Sequence, residues 1–265
     1  MRLFLLLAVT FLVRTAWAQT CDSVTVSGPP AGAPASWDAN GQLIGAGVEL
    51  AQKLLKSAGV KQVKVVRFAS WPETLTAART GAVDMIFSAG WSSDRARYLN
   101  YVYPAHGYQF LHVLVRKGNQ FNLNRYEDLK GRTGLAGVGE TFGDSTFGSL
   151  VETELTIERS PNTDESFRRL LAGEVDYVFA YENAAYSEIY RRDLGDKVES
   201  LVTYPYRSDT FFAFSKRSKC GTIWKDKLGA ELQKANNRND YFLLLKKYRT
   251  IFNESQANPS AHLSQ

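Results

Sequence analysis

Two stretches of this chain repeat one another: Gly81-Ala82-Val83-Asp84-Met85-Ile86-Phe87 and Gly173-Glu174-Val175-Asp176-Tyr177-Val178-Phe179. Gly, Val, Asp and Phe recur at the same spacing. Each stretch follows a segment of helical periodicity, so each reads as a helix, a Gly stop and a buried strand. Two explanations stay open on this pattern alone: independent uses of a common unit, or two lobes built alike. A chain of 265 residues has room for two α/β lobes of roughly a hundred residues each.

The rest of the chain keeps the same alternation. Strands are expected at Ser23 to Ser27, Val63 to Phe68, Val83 to Phe87, Phe110 to Val115, Thr133 to Ala136, Val175 to Phe179, Val198 to Val202 and Phe211 to Phe214. Between them, Val48, Leu50, Ala51, Leu54, Leu55 and Ala58 have helical spacing, and Gly59 stops the run. Pro72 opens a second helix that ends near Gly81, and further helices are expected from about Phe142 and over Asp164 to Leu171. Ile223 to Ala235 and Tyr241 to Tyr248 close the series, and the polar stretch 254–265 reads as a flexible tail. Strands alternating with helices imply an α/β architecture with mostly parallel sheets.

The first eighteen residues have the layout of a secretory signal peptide. Met1-Arg2 is basic, Leu3 to Val13 is apolar, and Ala16-Trp17-Ala18 offers small residues at a cleavage site. An apolar run of that length is too short to span a bilayer of roughly 30 Å as a helix. Residues 1–18 are therefore expected to be removed, leaving an exported protein without a membrane anchor. The formal charge of +5 falls to +3 once Arg2 and Arg14 are gone, a scattered excess that does not argue for a nucleic-acid partner. The three histidines, His106, His112 and His262, have no metal-ligand spacing, so neither metal nor cofactor is expected. Cys21 and Cys220 are the only cysteines. In an oxidising compartment two cysteines commonly pair, the alternative being two unrelated thiols.

Ligands of open α/β sheets collect outside the carboxyl ends of the strands. Here those ends are Ser88-Ala89-Gly90-Trp91, Gly139-Glu140-Thr141-Phe142 and Ala180-Tyr181-Glu182, groups suited to enclosing a small polar molecule. The sequence around them resembles the family 3 periplasmic solute-binding proteins, the amino-acid receptors of ABC importers. The resemblance runs through Pro34-Ala35-Ser36-Trp37-Asp38-Ala39-Asn40-Gly41-Gln42-Leu43-Ile44-Gly45, Val48-Glu49-Leu50-Ala51, Gly81-Ala82-Val83-Asp84, Asp94-Arg95 and Tyr101-Val102-Tyr103-Pro104. It resumes at Glu127-Asp128-Leu129-Lys130-Gly131, Gly139-Glu140-Thr141 and Leu171-Ala172-Gly173-Glu174-Val175-Asp176, covering about Ser23 to Phe252. No single motif is specific, but their order and spacing together are.

The resemblance implies a two-lobed fold, each lobe a mostly parallel sheet flanked by helices, with the ligand cleft between the lobes. Lobe one would comprise residues 22–106 plus 208–253, and lobe two residues 107–207, inserted into the first. Cys21 and Cys220 then meet on one lobe, which favours the disulfide. Arg95 matches the arginine that grips a ligand carboxylate, because a guanidinium is a planar two-pronged donor that stays charged. Ser88, Ala89 and Trp91 match ligand-contact positions, and Trp37 an aromatic over the ligand, with a core tryptophan as the alternative. Thr141, beside Phe142, matches a hydroxyl at a helix start in lobe two, where free N–H groups favour an anion.

The chain also departs from the family pattern. Tyr181, with Glu182 next, stands where an acid usually meets the ligand ammonium; two residues are missing between Gly90 and Arg95; and Tyr103 replaces the Asp before Pro104. A phenol holds an ammonium more weakly than a carboxylate does. The expected ligand is accordingly a small carboxylate-bearing solute, with an ordinary α-amino acid disfavoured. The expected protein is a periplasmic monomer that closes by hinge motion and delivers its solute to an ABC permease in the inner membrane. Two other classes compete. One is an enzyme on the same scaffold, such as a dehydratase acting on a carboxylate; the carboxylates placed at the cleft, Glu140 and Glu182, read instead as solvated or structural. The other is a sensory module, disfavoured because no membrane segment follows.

Overall fold

The computed structural model describes residues 21–201 and 206–257. The expected signal peptide, Val202 and the last eight residues lie outside them. In chain order, strand β1 (Ser23–Ser27) leads through a small antiparallel sheet of β2 (Ala31–Gly32), β3 (Ser36–Ala39) and β4 (Gln42–Ile44) into helix α1 (Ala46–Ala58). Strand β5 (Gln62–Val65), α2 (Trp71–Thr80), β6 (Met85–Gly90), the short α3 (Ser93–Ala96) and β7 (Leu99–Tyr101) follow. The long β8 (Gly107–Arg116) then carries the chain into a second unit. A 3-10 turn (Tyr126–Leu129) opens it, followed by β9 (Thr133–Gly137), α4 (Thr146–Thr153), β10 (Thr156–Ser160) and α5 (Thr163–Ala172). Strand β11 (Tyr177–Tyr181), α6 (Glu182–Arg191) and β12 (Val198–Ser200) complete the unit. Strand β13 (Arg207–Ser215) returns to the first, which α7 (Cys220–Asn237) and α8 (Asp240–Ala257) finish.

One sheet runs through both units in the order β10-β9-β11-β8-β13-β6-β1-β5, with β12 on β8 and β7 on β13. The two halves are built alike. β1 lies parallel between β5 and β6, and β9 lies parallel between β10 and β11. The repeated sequence stretches account for this. Gly81 and Gly173 end α2 and α5 in the left-handed conformation, at φ of 82° and 78°, which costs glycine least. The aspartates that follow tie the third strand to the first: Asp84 accepts the Thr25 N–H at 2.7 Å, and Asp176 the Thr133 N–H at 2.8 Å. Valine and phenylalanine positions then enter the cores. Apolar clusters built on Val26, Leu55, Phe87 and Phe214, and on Leu75, Ile86 and Ala213, fill the first lobe. Clusters around Phe147, Tyr177 and Phe179, and around Phe167, Leu170 and Val178, fill the second.

Several boundaries differ from the sequence reading. β5 stops at Val65 and β6 begins at Met85. Helix α4 begins at Thr146 rather than near Phe142, because Gly143 adopts φ 68° and Ser145 caps the helix by accepting the Gly148 N–H at 3.0 Å. Helix α8 runs on to Ala257, so 254–257 are helical and not tail. The β2–β4 sheet, β10 and α6 are additions.

Cys21 and Cys220 form a disulfide, with Cα atoms 5.3 Å apart across a sequence separation of 199. It fixes the chain before β1 to the start of α7, and Trp224 Nε1 donates to the Cys21 carbonyl at 2.8 Å beside it. Thiol titration of the unfolded, unreduced protein should find no reactive thiol; two would overturn the pairing. Replacing both cysteines by Ser should lower stability by about 2–5 kcal/mol, read from the urea midpoint, because a long loop is released in the unfolded chain.

Candidate functional site

Where the carboxyl ends of the parallel strands of both lobes face each other, they enclose a cavity of about 380 Å³. Its first-lobe wall is the loop after β1 (Pro29 to Gly32), the start of α2 with Trp71, the end of β6, and Arg95. The second-lobe wall is Gly137 to Thr141 after β9, the start of α5 and the β11–α6 junction with Tyr181. Tyr108, Gln109, Ser208 and Thr210, from the two crossing strands, close the space between them.

Arg95 is the cation of this wall, 5% exposed. Ser92 caps α3 by accepting the Arg95 N–H at 3.3 Å, which turns the side chain inward. Nη1 donates to the Gly90 carbonyl at 2.8 Å, and Nη2 crosses to the Gly139 carbonyl of the other lobe at 2.6 Å. Its remaining N–H donors have no partner among the described residues. The guanidinium lies 5.6 Å from the Trp71 ring. Tyr101, its phenol pushed up to about 12 by burial, donates to the same Gly90 carbonyl at 2.9 Å and braces it.

Ser88 reaches the cavity through backbone strain. Between Ala89 and Ile86, β6 carries one residue more than β13 does between Phe211 and Ala213. This bulge places Ser88 at φ 57°, a conformation uncommon for a side chain other than glycine. After the bulge Ser88 and Gly90 face the cavity and the Ala89 methyl packs in the core. The Ser88, Thr141 and Thr210 hydroxyls are buried and make no hydrogen bond of ordinary geometry among the described residues. Tyr181 donates to the Thr141 carbonyl at 3.0 Å; burial raises its pKa, so it stays a neutral phenol.

The carboxylates are distributed differently from the sequence reading. The Glu140 carboxyl folds back into the cleft wall, where Oε2 accepts the Gly137 N–H at 3.1 Å, a structural contact. Burial raises its pKa, against the lowering effects of that bond and of Arg159 and Arg95. Glu182 opens α6 and does not line the cavity. Glu188 and Asp164 do, joined to each other through Arg191. Burial also raises the pKa of Glu188.

Of the other sequence-assigned residues, Thr141 lines the cavity but precedes α4 by several residues, so it is not at a helix start. Phe142 is core, 2% exposed, against Phe147 and Phe179. Trp91 is 40% exposed, outside the cavity. Trp37 lies outside it too, in an aromatic cluster with Tyr248 and Phe252 at 6.0 and 5.4 Å. Trp71 is the aromatic that the sequence reading missed; the Trp-Pro pair at the mouth of a capped helix was its signal.

The sequence match decides the family: residues 24–252 match the bacterial extracellular solute-binding proteins, family 3. The chain belongs to that family. Its fold is similar to that of the amino acid ABC transporter substrate-binding protein AbpA from Streptococcus pneumoniae, bound to L-arginine: TM-score 0.71, 16% identity, covering 87% of this chain and 96% of that one. It is also similar to ArtJ, an arginine-, lysine-, histidine-binding protein from Geobacillus stearothermophilus, at TM-score 0.67 and 20% identity over 85% and 94% of the two chains. A histidine kinase sensor domain with similarity to periplasmic binding proteins aligns with TM-score 0.67 and 19% identity over 85% and 95%. At these identities the likeness establishes the two-lobed fold. No curated protein sequence matches the chain. Among the described residues no helix is long and apolar enough to cross a membrane, and no cluster of His, Cys, Asp and Glu could hold a metal ion.

The solute-binding fold keeps Glu140 at a cost that pH should reveal. A carboxyl whose pKa is raised by folding favours the fold fully below its unfolded value of 4.5, and that contribution is lost as pH rises through the folded value. Glu140→Gln, which keeps an acceptor for the Gly137 N–H, should therefore be more stable than wild type at neutral pH. The difference should close in acid, as read by urea midpoints of the ligand-free proteins. Equal midpoints at all pH values would mean that the carboxyl is solvated after all.

Proposed function

We propose that this solute-binding protein captures a small carboxylate-bearing solute between its lobes and delivers it to an ABC importer in the inner membrane. The observation that carries the reading is Arg95, a buried guanidinium with N–H donors left over, on the wall of the cavity between the lobes. A buried cation needs an anionic or strongly accepting partner, and a carboxylate fits its fork geometry. Unpartnered hydroxyls on both walls add donors for the same group. The solved relatives supply the class: AbpA was crystallised with L-arginine, and ArtJ binds arginine, lysine and histidine. Residues 1–18 act as the export signal, and the lobes divide at 22–106 with 208–253 and 107–207. The protein works as a periplasmic monomer, and binding shifts the lobes toward the closed state because only there does the solute touch both.

A receptor reading also means no turnover. The raised pKa of Glu140 is what a general acid would need, which keeps a carboxylate-processing enzyme as the second reading. A thermal-shift screen over amino acids, opines, keto acids and amines finds the solute, which at about 100 times its dissociation constant should add roughly 2.7 kcal/mol of stability. Chromatography after long incubation should return it unchanged; steady product formation lost in Glu140→Gln would favour the enzyme.

Arg95→Ala should abolish binding in calorimetry while circular dichroism stays native. Arg95→Lys should rescue little, because a point charge cannot reproduce the fork that spans Gly90, Gly139 and the solute. Near-normal affinity in Arg95→Ala would place the solute elsewhere or show that it lacks a carboxylate.

A further inference from the structure

Among the described residues, four apolar clusters each stay within one lobe, and a fifth draws on both. It joins Ala33, Trp37 and Phe252 of lobe one to Tyr186 of lobe two. Tyr186 and Tyr190, four residues apart on α6, share a face of that helix, and their rings stack at 5.9 Å. Both meet Phe252 of α8, at 6.3 and 6.1 Å. Tyr186 also donates to Asn253 Oδ1 at 2.5 Å, and the Arg249 guanidinium lies 4.8 Å over its ring. Neither helix is a loose end. Glu49 of α1 accepts from Lys247 at 2.6 Å and from Tyr248 at 2.8 Å, which pins α8 to lobe one. Ala185 and Ile189 hold α6 on the core of lobe two.

This seam lies outside the cavity but continues its walls. Ala31 and Gly32 line the cavity on one side, Asn183 and Ala184 on the other. Ala33 and Trp37 follow the first pair along the chain and Tyr186 and Tyr190 the second, and none of these four lines the cavity, nor does Phe252. Parting the walls at this rim to admit a solute therefore parts the rings as well, and returns their apolar surface to water. The contacts at the opposite rim are of another kind. Arg95 on Gly139 is a cavity group that the solute itself engages, and the Ser93 bond to Asp144 is long and exposed.

We propose that the seam between α6 and α8 is a latch that works without the solute. Tyr186, Tyr190 and Phe252 are its positioning residues: they hold a fraction of the empty protein with its lobes together as they are here. The affinity measured for any solute is its intrinsic affinity multiplied by that fraction. These three side chains thereby set how tightly the solute is held without touching it. The latch goes beyond the reading of Arg95 and operates whichever solute the cavity takes.

The test reads the distance between nitroxide labels on Thr76→Cys in α2 and Ser149→Cys in α4, one exposed site on each lobe. The protein is freed of solute by dialysis in urea and refolded with its disulfide intact. Electron–electron double resonance on the wild-type background should find a population at the distance of this structure, alone or beside a longer one. Phe252→Ala should lower the ratio of short to long by about tenfold, with circular dichroism unchanged. Should Phe252→Ala fail to fold, Tyr190→Ala serves, because that ring is 43% exposed and belongs to neither core. The ratio should then fall severalfold. A side chain that only stabilised its own lobe would lower the urea midpoint and leave the distances where they were. An unchanged ratio in Phe252→Ala, or in Tyr190→Ala where that variant serves, overturns the proposal. So does a wild type without the short-distance population. No solute is present, so both results leave the reading of Arg95 standing.

Discussion

Two antiparallel strands join the two lobes. Gly107 to Phe110 of β8 pairs with Thr210 to Arg207 of β13; β8 continues into the sheet of the second lobe and β13 into that of the first. A few residues so placed can absorb the rotation of one lobe against the other, as hinges do. They also floor the cavity, since Tyr108, Gln109, Ser208 and Thr210 all face it. Below the crossing strands aromatic side chains surround a histidine. His106, lowered to about 3 by burial, packs neutral between Phe212 and Tyr241 at 4.6 and 4.8 Å.

Around that hinge the lobes touch at both rims of the cavity. On one side Arg95 reaches Gly139, and the Ser93 N–H donates to Asp144 at 3.5 Å. On the other, Tyr186 donates to Asn253 at 2.5 Å, and Tyr186 and Tyr190 of α6 lie 6.3 and 6.1 Å from Phe252 of α8. Trp37 belongs to this second contact through Phe252. Its place explains why an aromatic on a lobe-one loop lies outside the cavity: it packs under the helix that meets the other lobe. The lobes thus meet through aromatic contact away from the cavity as well as through Arg95.

The fold was largely legible because its determinants are local. Helix stops at Gly59, Gly81 and Gly173, the capped Trp-Pro start of α2 and the apolar runs of the central strands are each written in a few neighbouring residues. What escaped had weak local signals. β10 is an edge strand of mixed polarity, Thr-Ile-Glu-Arg-Ser, and α6 hides its stripe among tyrosines that pack on the other lobe. The site was legible in part. Arg95, Ser88, Thr141 and Tyr181 line the cavity, but Ala89, Trp91, Phe142 and Glu182 do not. The error at β6 has one cause: a bulge shifts the alternation of side chains by one, and nothing in Phe87-Ser88-Ala89 announces an extra residue. For Glu140 the sequence left a solvated and a structural carboxylate open, and the fold shows the carboxyl held on the Gly137 N–H.

Local rules are broken together at one place. Ser88 has a left-handed backbone, the Thr141 and Thr210 hydroxyls lack partners among the described residues, the Glu140 carboxyl is held on a backbone N–H, and the Arg95 guanidinium keeps spare donors. Each buried unsatisfied group costs on the order of 1–3 kcal/mol, against a total stability of roughly 5–15 kcal/mol for a typical protein. A fold can sustain such a concentration only if its cores and cross-links stabilise it elsewhere. The four apolar clusters of the lobes, which reach the cavity through residues such as Phe179 and Tyr241, and the Cys21–Cys220 bond do so. A polar occupant then recovers much of what the empty site forgoes. The same unpaired groups that weaken the empty protein thus set what the filled one recognises.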